Sequence, residues 1–232
     1  MNFISKNTMV SFLIICLFAL QGCGGDEIPL KDIEKSLGNV PTYSVVLADM
    51  KEEGNFIKEY SHKYRIVQPD MAWDKGWFTV PENFYRANEN FLGMAIAGKN
   101  NGNVIEAAAP LLYQYVGNPQ YGQWRSDGRG GELWAFNRGT PLFDELDIDV
   151  HLPVSKKHYR QYKDSLSKKM PFYGARNQYG TKGTFTQKTK PNFFERKMAQ
   201  QKVQKASFSQ KVSSRIGRSK TSFRGRSGSS GK

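Results

Sequence analysis

Charge is divided along this chain in a way that limits what each part can fold into. Residues 155–232 hold 21 of the 34 Lys and Arg but only two of the 21 acidic residues, Asp164 and Glu195, a balance of +19. Residues 1–154 hold the other 13 basic and 19 acidic residues, a balance of −6. Few aliphatic side chains lie between Lys156 and Lys190, where Tyr159, Tyr162, Tyr173 and Tyr179 are spread among Lys, Arg, Gly and Ser. A stretch of that composition is expected to bury too little surface to offset its chain entropy. The organisation expected is α+β: one small domain of β-hairpins and short helices over residues 40–154, then a basic low-complexity arm over 155–232, disordered but for an amphipathic helix near 192–216.

At the N-terminus, Lys6 precedes an apolar run from Met9 to Leu20 broken only by Ser11, and Leu20-Gln21-Gly22-Cys23 closes it. The run is too short to span a bilayer and has the length of a signal-peptide core. Over these first 23 residues the chain resembles bacterial lipoproteins, with Gln21 a less usual middle residue for their processing motif. The resemblance implies that residues 1–22 are a signal peptide and that Cys23 is lipidated and becomes the first mature residue. Residues 23–39 are then the anchor and tether. It further implies a cell-envelope location, at the outer membrane where a cell has two, because Gly24 rather than Asp follows the cysteine. Cys16 falls in the removed segment, so the mature chain would keep no thiol for a disulfide, a Cys-ligated metal or thiol catalysis. Ile28, Leu30, Ile33 and Leu37 space one or two helical turns in the tether, with Pro29 tolerated only at the helix start.

Within 40–154 the turns are the clearest signals. Tyr43 to Ala48 and Phe56 to Val67 flank Glu53-Gly54-Asn55 and read as a hairpin, with Tyr60, His62, Tyr64 and Ile66 sharing one side of the second strand. Pro81 at a helical N1 position starts a two-turn helix with Phe84, Ala87 and Phe91 on one face. Asn101-Gly102 predicts a second hairpin joining Leu92–Ala97 to the Val104 run, although Ala107 to Ala109 equally suit a helix start.

The aromatic residues concentrate in 113–136, where Tyr113, Tyr115, Tyr121, Trp124, Trp134 and Phe136 surround two glycine-bearing turns. Gln123–Asp127 is expected to pair with Glu132–Phe136. Two roles are open: rings filling the core of a small domain, or a glycan- or peptide-binding surface of Tyr115, Tyr121, Trp124 and Trp134, centred on the last three, with Arg125 as a polar anchor. The Tyr115-Val-Gly-Asn-Pro-Gln-Tyr-Gly-Gln-Trp124 core, together with the arginine- and serine-rich end, resembles envelope lipoproteins without a described activity, so this resemblance implies no chemistry.

Catalytic and metal patterns are missing. Gly128-Arg-Gly-Gly131 lacks the Gly-Lys-Ser/Thr ending and following helix of a phosphate loop, and reads as a hairpin turn. Asp144, Glu145, Asp147 and Asp149 lack the glycine and distal glutamate of a calcium loop, so a solvated helix end over Pro141–Leu146 is expected instead. His62 has no second ligand at metal spacing and reads as a structural or solvent-facing histidine. No serine-hydrolase or zinc-protease motif occurs, so the expectation is no enzyme, no cofactor and no metal.

What remains is the arm. Asn192 suits a helix cap, and Phe194, Met198, Phe208, Val212 and Ile216 fall within about 80° on a helical wheel while Lys197, Lys202, Lys211 and Arg215 point elsewhere. Gln201 and Lys205 intrude on this stripe. Lys211, Arg215, Arg218, Lys220, Arg224 and Arg226 are the expected polyanion-binding residues. Basic residues interleaved with Phe suit nucleic acid in a cytosolic protein, but the lipoprotein start argues against that partner. The expected partners are a membrane through the lipid anchor and an anionic lipid, lipopolysaccharide or cell-wall polymer through the arm.

Overall fold

A computed structural model describes residues 28–54, 57–137 and 154–218. The described residues up to Lys188 belong to one compact unit and those from Thr189 to a second. The first unit is α+β, built on two antiparallel sheets.

Helix α1, Pro29–Ser36, begins on the proline, which supplies a fixed φ where a backbone N–H has no helical partner. It buries Ile33, and Leu37 follows as a second buried apolar residue. Strands β1 (Tyr43–Glu53), β2 (Glu59–Val67), β3 (Ala72–Val80), β4 (Ala95–Asn100) and β5 (Asn103–Ile105) form a sheet in the order β3-β2-β1-β4-β5. The β1–β2 pair is the expected hairpin, with Val45 opposite Ile66 and Met50 opposite His62. Between β4 and β5, Asn101 and Gly102 both take positive φ, 48° and 80°, as a two-residue turn matched to strand twist requires.

Strand β3 is not predicted by the sequence pattern, because Trp73, Asp74, Lys75, Gly76 and Trp77 do not alternate cleanly. The register with β2 shifts between Tyr64 and Arg65, so that Gly76 pairs Tyr64 while Asp74 pairs Arg65. That extra residue changes which side chains face the core, and a period-two pattern cannot survive it.

Helix α2, Glu82–Asn88, corrects the expected face. Pro81 stands at the N-cap rather than inside the helix, and Tyr85 is the buried residue while Ala87 is exposed. The reason is the surface beneath: the Tyr85 ring lies 5.0 Å from Tyr60 and 5.3 Å from His62, so the helix turns its tyrosine onto β2. Arg86 closes the contact from outside, its guanidinium 5.1 Å over the Tyr60 ring and 3.4 Å from Glu82.

The second sheet is β6 (Gly122–Ser126), β7 (Glu132–Phe136) and β8 (Val154–Ser155), in that order. The β6–β7 hairpin forms within one residue of its expected bounds, with Trp124 opposite Trp134. Helix α3, Lys156–Ser167, follows β8 directly and is capped by Ser155, whose Oγ accepts the His158 backbone N–H at 3.3 Å.

Here the expected domain boundary is corrected. The compact unit continues past 154 to Lys188. Tyr162 and Phe172 are buried in a cluster with Tyr113, Val116 and Trp134, and Phe172 donates its backbone N–H to Ala108 O at 2.9 Å. Thr181 ties the segment to the first sheet's flank through Asn90 O and Glu89 O. Aromatic rings more than aliphatic side chains supply the buried surface of this segment, and each such ring hides roughly 150–250 Å². Helix α4, Thr184–Thr189, ends this unit and α5, Pro191–Arg218, forms the second.

Candidate functional site

The aromatic residues proposed for ligand stacking resolve into core. Tyr121 is 3% exposed and Trp134 is 5% exposed, and Tyr121 meets Tyr115 edge-on at 5.1 Å. Trp124 is half-buried: it packs edge-on against Trp134 at 5.1 Å, lies 5.7 Å from Tyr159, and has Lys156 Nζ 5.7 Å from its ring centroid. The expectation of a binding surface built from Tyr121, Trp124 and Trp134 is therefore corrected. The two glycine-bearing turns bring β6 and β7 into register, α3 then covers the hairpin, and the ring faces a sugar would need are spent on packing.

The Gly128–Gly131 turn is likewise closed to phosphate. Asp127 Oδ1 accepts the backbone N–H groups of Arg129 at 2.7 Å and Gly131 at 2.8 Å, and these two bonds hold its carboxyl below the ordinary value. A phosphate loop needs such N–H groups turned outward, and here they turn in on the chain's own carboxylate.

His62 is buried and structural. It is fully enclosed between Phe84 and Tyr85 of α2 and Tyr64 of its own strand, with Nδ1 3.0 Å from Tyr64 Oη. Burial pulls its pKa down to about 4, so the ring is neutral at pH 7. Among the described residues no group of three or more His, Cys, Asp or Glu side chains is placed to hold a metal ion.

The basic residues divide between the two units. Lys157, Arg160 and Lys163 stand exposed along α3 and so belong to the folded surface rather than to a tail. Others are paired: Lys156 with Glu132 at 2.5 Å, Lys168 with Asp164 at 2.9 Å and Lys169 with Glu106 at 2.7 Å. Exposed pairs of this kind contribute little to stability.

Helix α5 is the feature that remains. It starts at Pro191, a residue earlier than the expected Asn192 cap, because proline fits the first turn and Asn192 is taken into the helix. Its single acid, Glu195, stands against seven Lys and Arg between Pro191 and Arg218. Near the start, Phe193 and Phe194 meet edge-on at 5.1 Å and Lys197 Nζ sits 5.8 Å from the Phe193 ring. Farther along, Lys211 and Arg215 are exposed. Met198, Val203 and Phe208 are also exposed, by 59%, 69% and 69%, an unusual state for large apolar side chains on one helix. Arg218 is its last residue, and Lys220, Arg224 and Arg226 lie outside the described residues, as do Cys23 and the acidic stretch from Asp144 to Asp149. Among the described residues no helix is long and apolar enough to cross a membrane. No family model matches this chain, and neither a curated protein nor a solved structure matches it significantly.

Proposed function

We propose that this chain is a lipid-anchored protein of the cell envelope that acts by binding rather than catalysis. Cys23 carries the acyl chains, and the C-terminal arm holds an anionic envelope surface through Lys211, Arg215, Arg218, Lys220, Arg224 and Arg226. The observation that carries the reading is α5 itself, a 28-residue helix in its own unit with seven basic residues and one acid. The burial of Tyr121 and Trp134 supports it further by removing the competing glycan surface. Each Lys or Arg close to an anionic membrane contributes about 1 kcal/mol before screening, so a handful suffices to localise an arm already confined by an acyl anchor.

The reading is tested in two steps. Cys23→Ser should abolish acyl labelling in cells and leave an unprocessed precursor; a variant still processed and still labelled would end the lipoprotein assignment. Reversing Arg215, Arg218, Arg224 and Arg226 to Glu should abolish retention of the chain on lipopolysaccharide and on anionic vesicles at low salt. Retention unchanged by the reversal would remove the arm from the function.

A further inference from the structure

We infer that α5 is an interfacial helix whose partner is an anionic phospholipid bilayer, entered by Phe194, Met198, Phe208 and Val212 while Lys197, Lys202, Lys211 and Arg215 stay at headgroup level. This rests on the reading that the arm meets a polyanion, and it names which one.

The placement follows from helix geometry. At 100° per residue Phe194 and Val212 coincide, Met198 lies about 40° to one side and Phe208 about 40° to the other. Lys197 and Arg215 coincide about 60° from the centre of that stripe, and Lys202 stands about 80° away on its opposite flank. The apolar face is thus bordered by cations on both sides, the arrangement in which apolar side chains enter the acyl boundary while ammonium and guanidinium groups remain among phosphates.

Exposure chooses the bilayer over a soluble polyanion. Met198 is 59%, Phe208 69% and Val212 36% exposed. A polysaccharide or polyphosphate would satisfy the lysines and leave these three in water, whereas a lipid interface satisfies both sets. Charge complementarity fixes the lipid as anionic, since Glu195 is the sole acid on the helix.

The helix lies on the bilayer and does not cross it, because it is too polar to span. Gln201 and Lys205 fall inside the stripe and divide it into a Phe194/Met198 patch and a Phe208/Val212 patch. The Lys205 stem is long enough to return its ammonium to the headgroups from that position. Val203 is on the far side and takes no part.

The test uses the chain from Gly24 onward, which keeps every described residue and carries neither acyl group nor signal segment. Vesicles of phosphatidylcholine with about 30% phosphatidylglycerol, vesicles of phosphatidylcholine alone, and soluble polyphosphate are the probes. Wild type should sediment with the anionic vesicles and keep a measurable part of that binding at about 0.5 M salt, where exposed charges are screened within a few ångströms. Met198→Ser/Phe208→Ser/Val212→Ser should weaken vesicle binding about tenfold and remove the salt-resistant part, with polyphosphate binding unchanged. Met198→Leu/Phe208→Leu/Val212→Leu should restore it. Vesicle binding equal in the serine variant and wild type, and fully removed by salt in both, would overturn insertion and leave the polyanion reading standing. Failure of wild type to bind either anionic vesicles or polyphosphate at low salt would overturn both.

Discussion

His62 sets how the folded unit responds to acid. Its Nε2 has no hydrogen-bond partner among the described residues and its ring is enclosed by Tyr64, Phe84 and Tyr85, so a proton on it would be an uncompensated buried charge. The folded pKa of about 4 lies below the ordinary 6.5. The unfolded chain therefore binds the proton first, and stability falls as pH drops from about 6.5 to about 4, by roughly 3 kcal/mol in all. Urea midpoints measured across that window should fall for wild type and stay nearly level for His62→Phe, which keeps a ring against Tyr85; equal slopes would deny His62 this role. Gly98 shows a steric constraint instead of an electrostatic one. A Cβ there would stand 2.6 Å from Tyr43 O and 3.4 Å from Ser44 Cα across the β1–β4 pair. Gly98→Ala should cost about 1–3 kcal/mol in a denaturant titration, because two backbones would have to part.

At the scale of elements, α3 is where composition misled. Its lysines predict a solvated arm, yet Tyr159, Tyr162 and Leu166 recur at helical spacing and face the β6–β7 hairpin. Tyr162 lies 5.4 Å from Tyr113 and 5.8 Å from Phe172, ring to ring, so one helix face closes a core that the two strands leave open. A chain ending after Pro153 should therefore lose its cooperative thermal transition, whereas one ending after Lys188 should keep it. A sharp transition in the shorter chain would mean that α3 merely decorates the sheet. Tyr162→Ala should cost about 3–5 kcal/mol within the longer chain, as expected for removing a buried ring.

For the whole molecule, the division of charge has a different boundary from the division of structure. Charge changes sign near Ser155, but compactness changes at Lys188, and the intervening basic residues are carried on a folded surface. Residues up to Lys188 form a compact unit by themselves, so a chain without residues 189–232 should keep a cooperative thermal transition. The same deletion should abolish sedimentation with anionic vesicles. Loss of the transition would show that the first unit needs the second to fold.

What the sequence determined by itself was local. Asn101-Gly102 and the glycines around Gln123–Phe136 specify their turns through φ values that few other residues accept, so both turns were legible, the β6–β7 strands within one residue and the strands flanking Asn101-Gly102 only within three or four. The spacing of Phe194, Met198, Phe208 and Val212 likewise marked out α5, since helical periodicity is written in consecutive residues. Only tertiary structure decided the rest. Tyr121 is buried by Leu111, Leu112 and Tyr115 together with Val46 and Val67 of the first sheet. Whether Trp134 faces a ligand or a core depends on α3, more than twenty residues beyond it, arriving to cover it. The same contact decides whether residues 155–188 fold, because burial is a property of the pair of surfaces that meet, and neither surface alone encodes its partner.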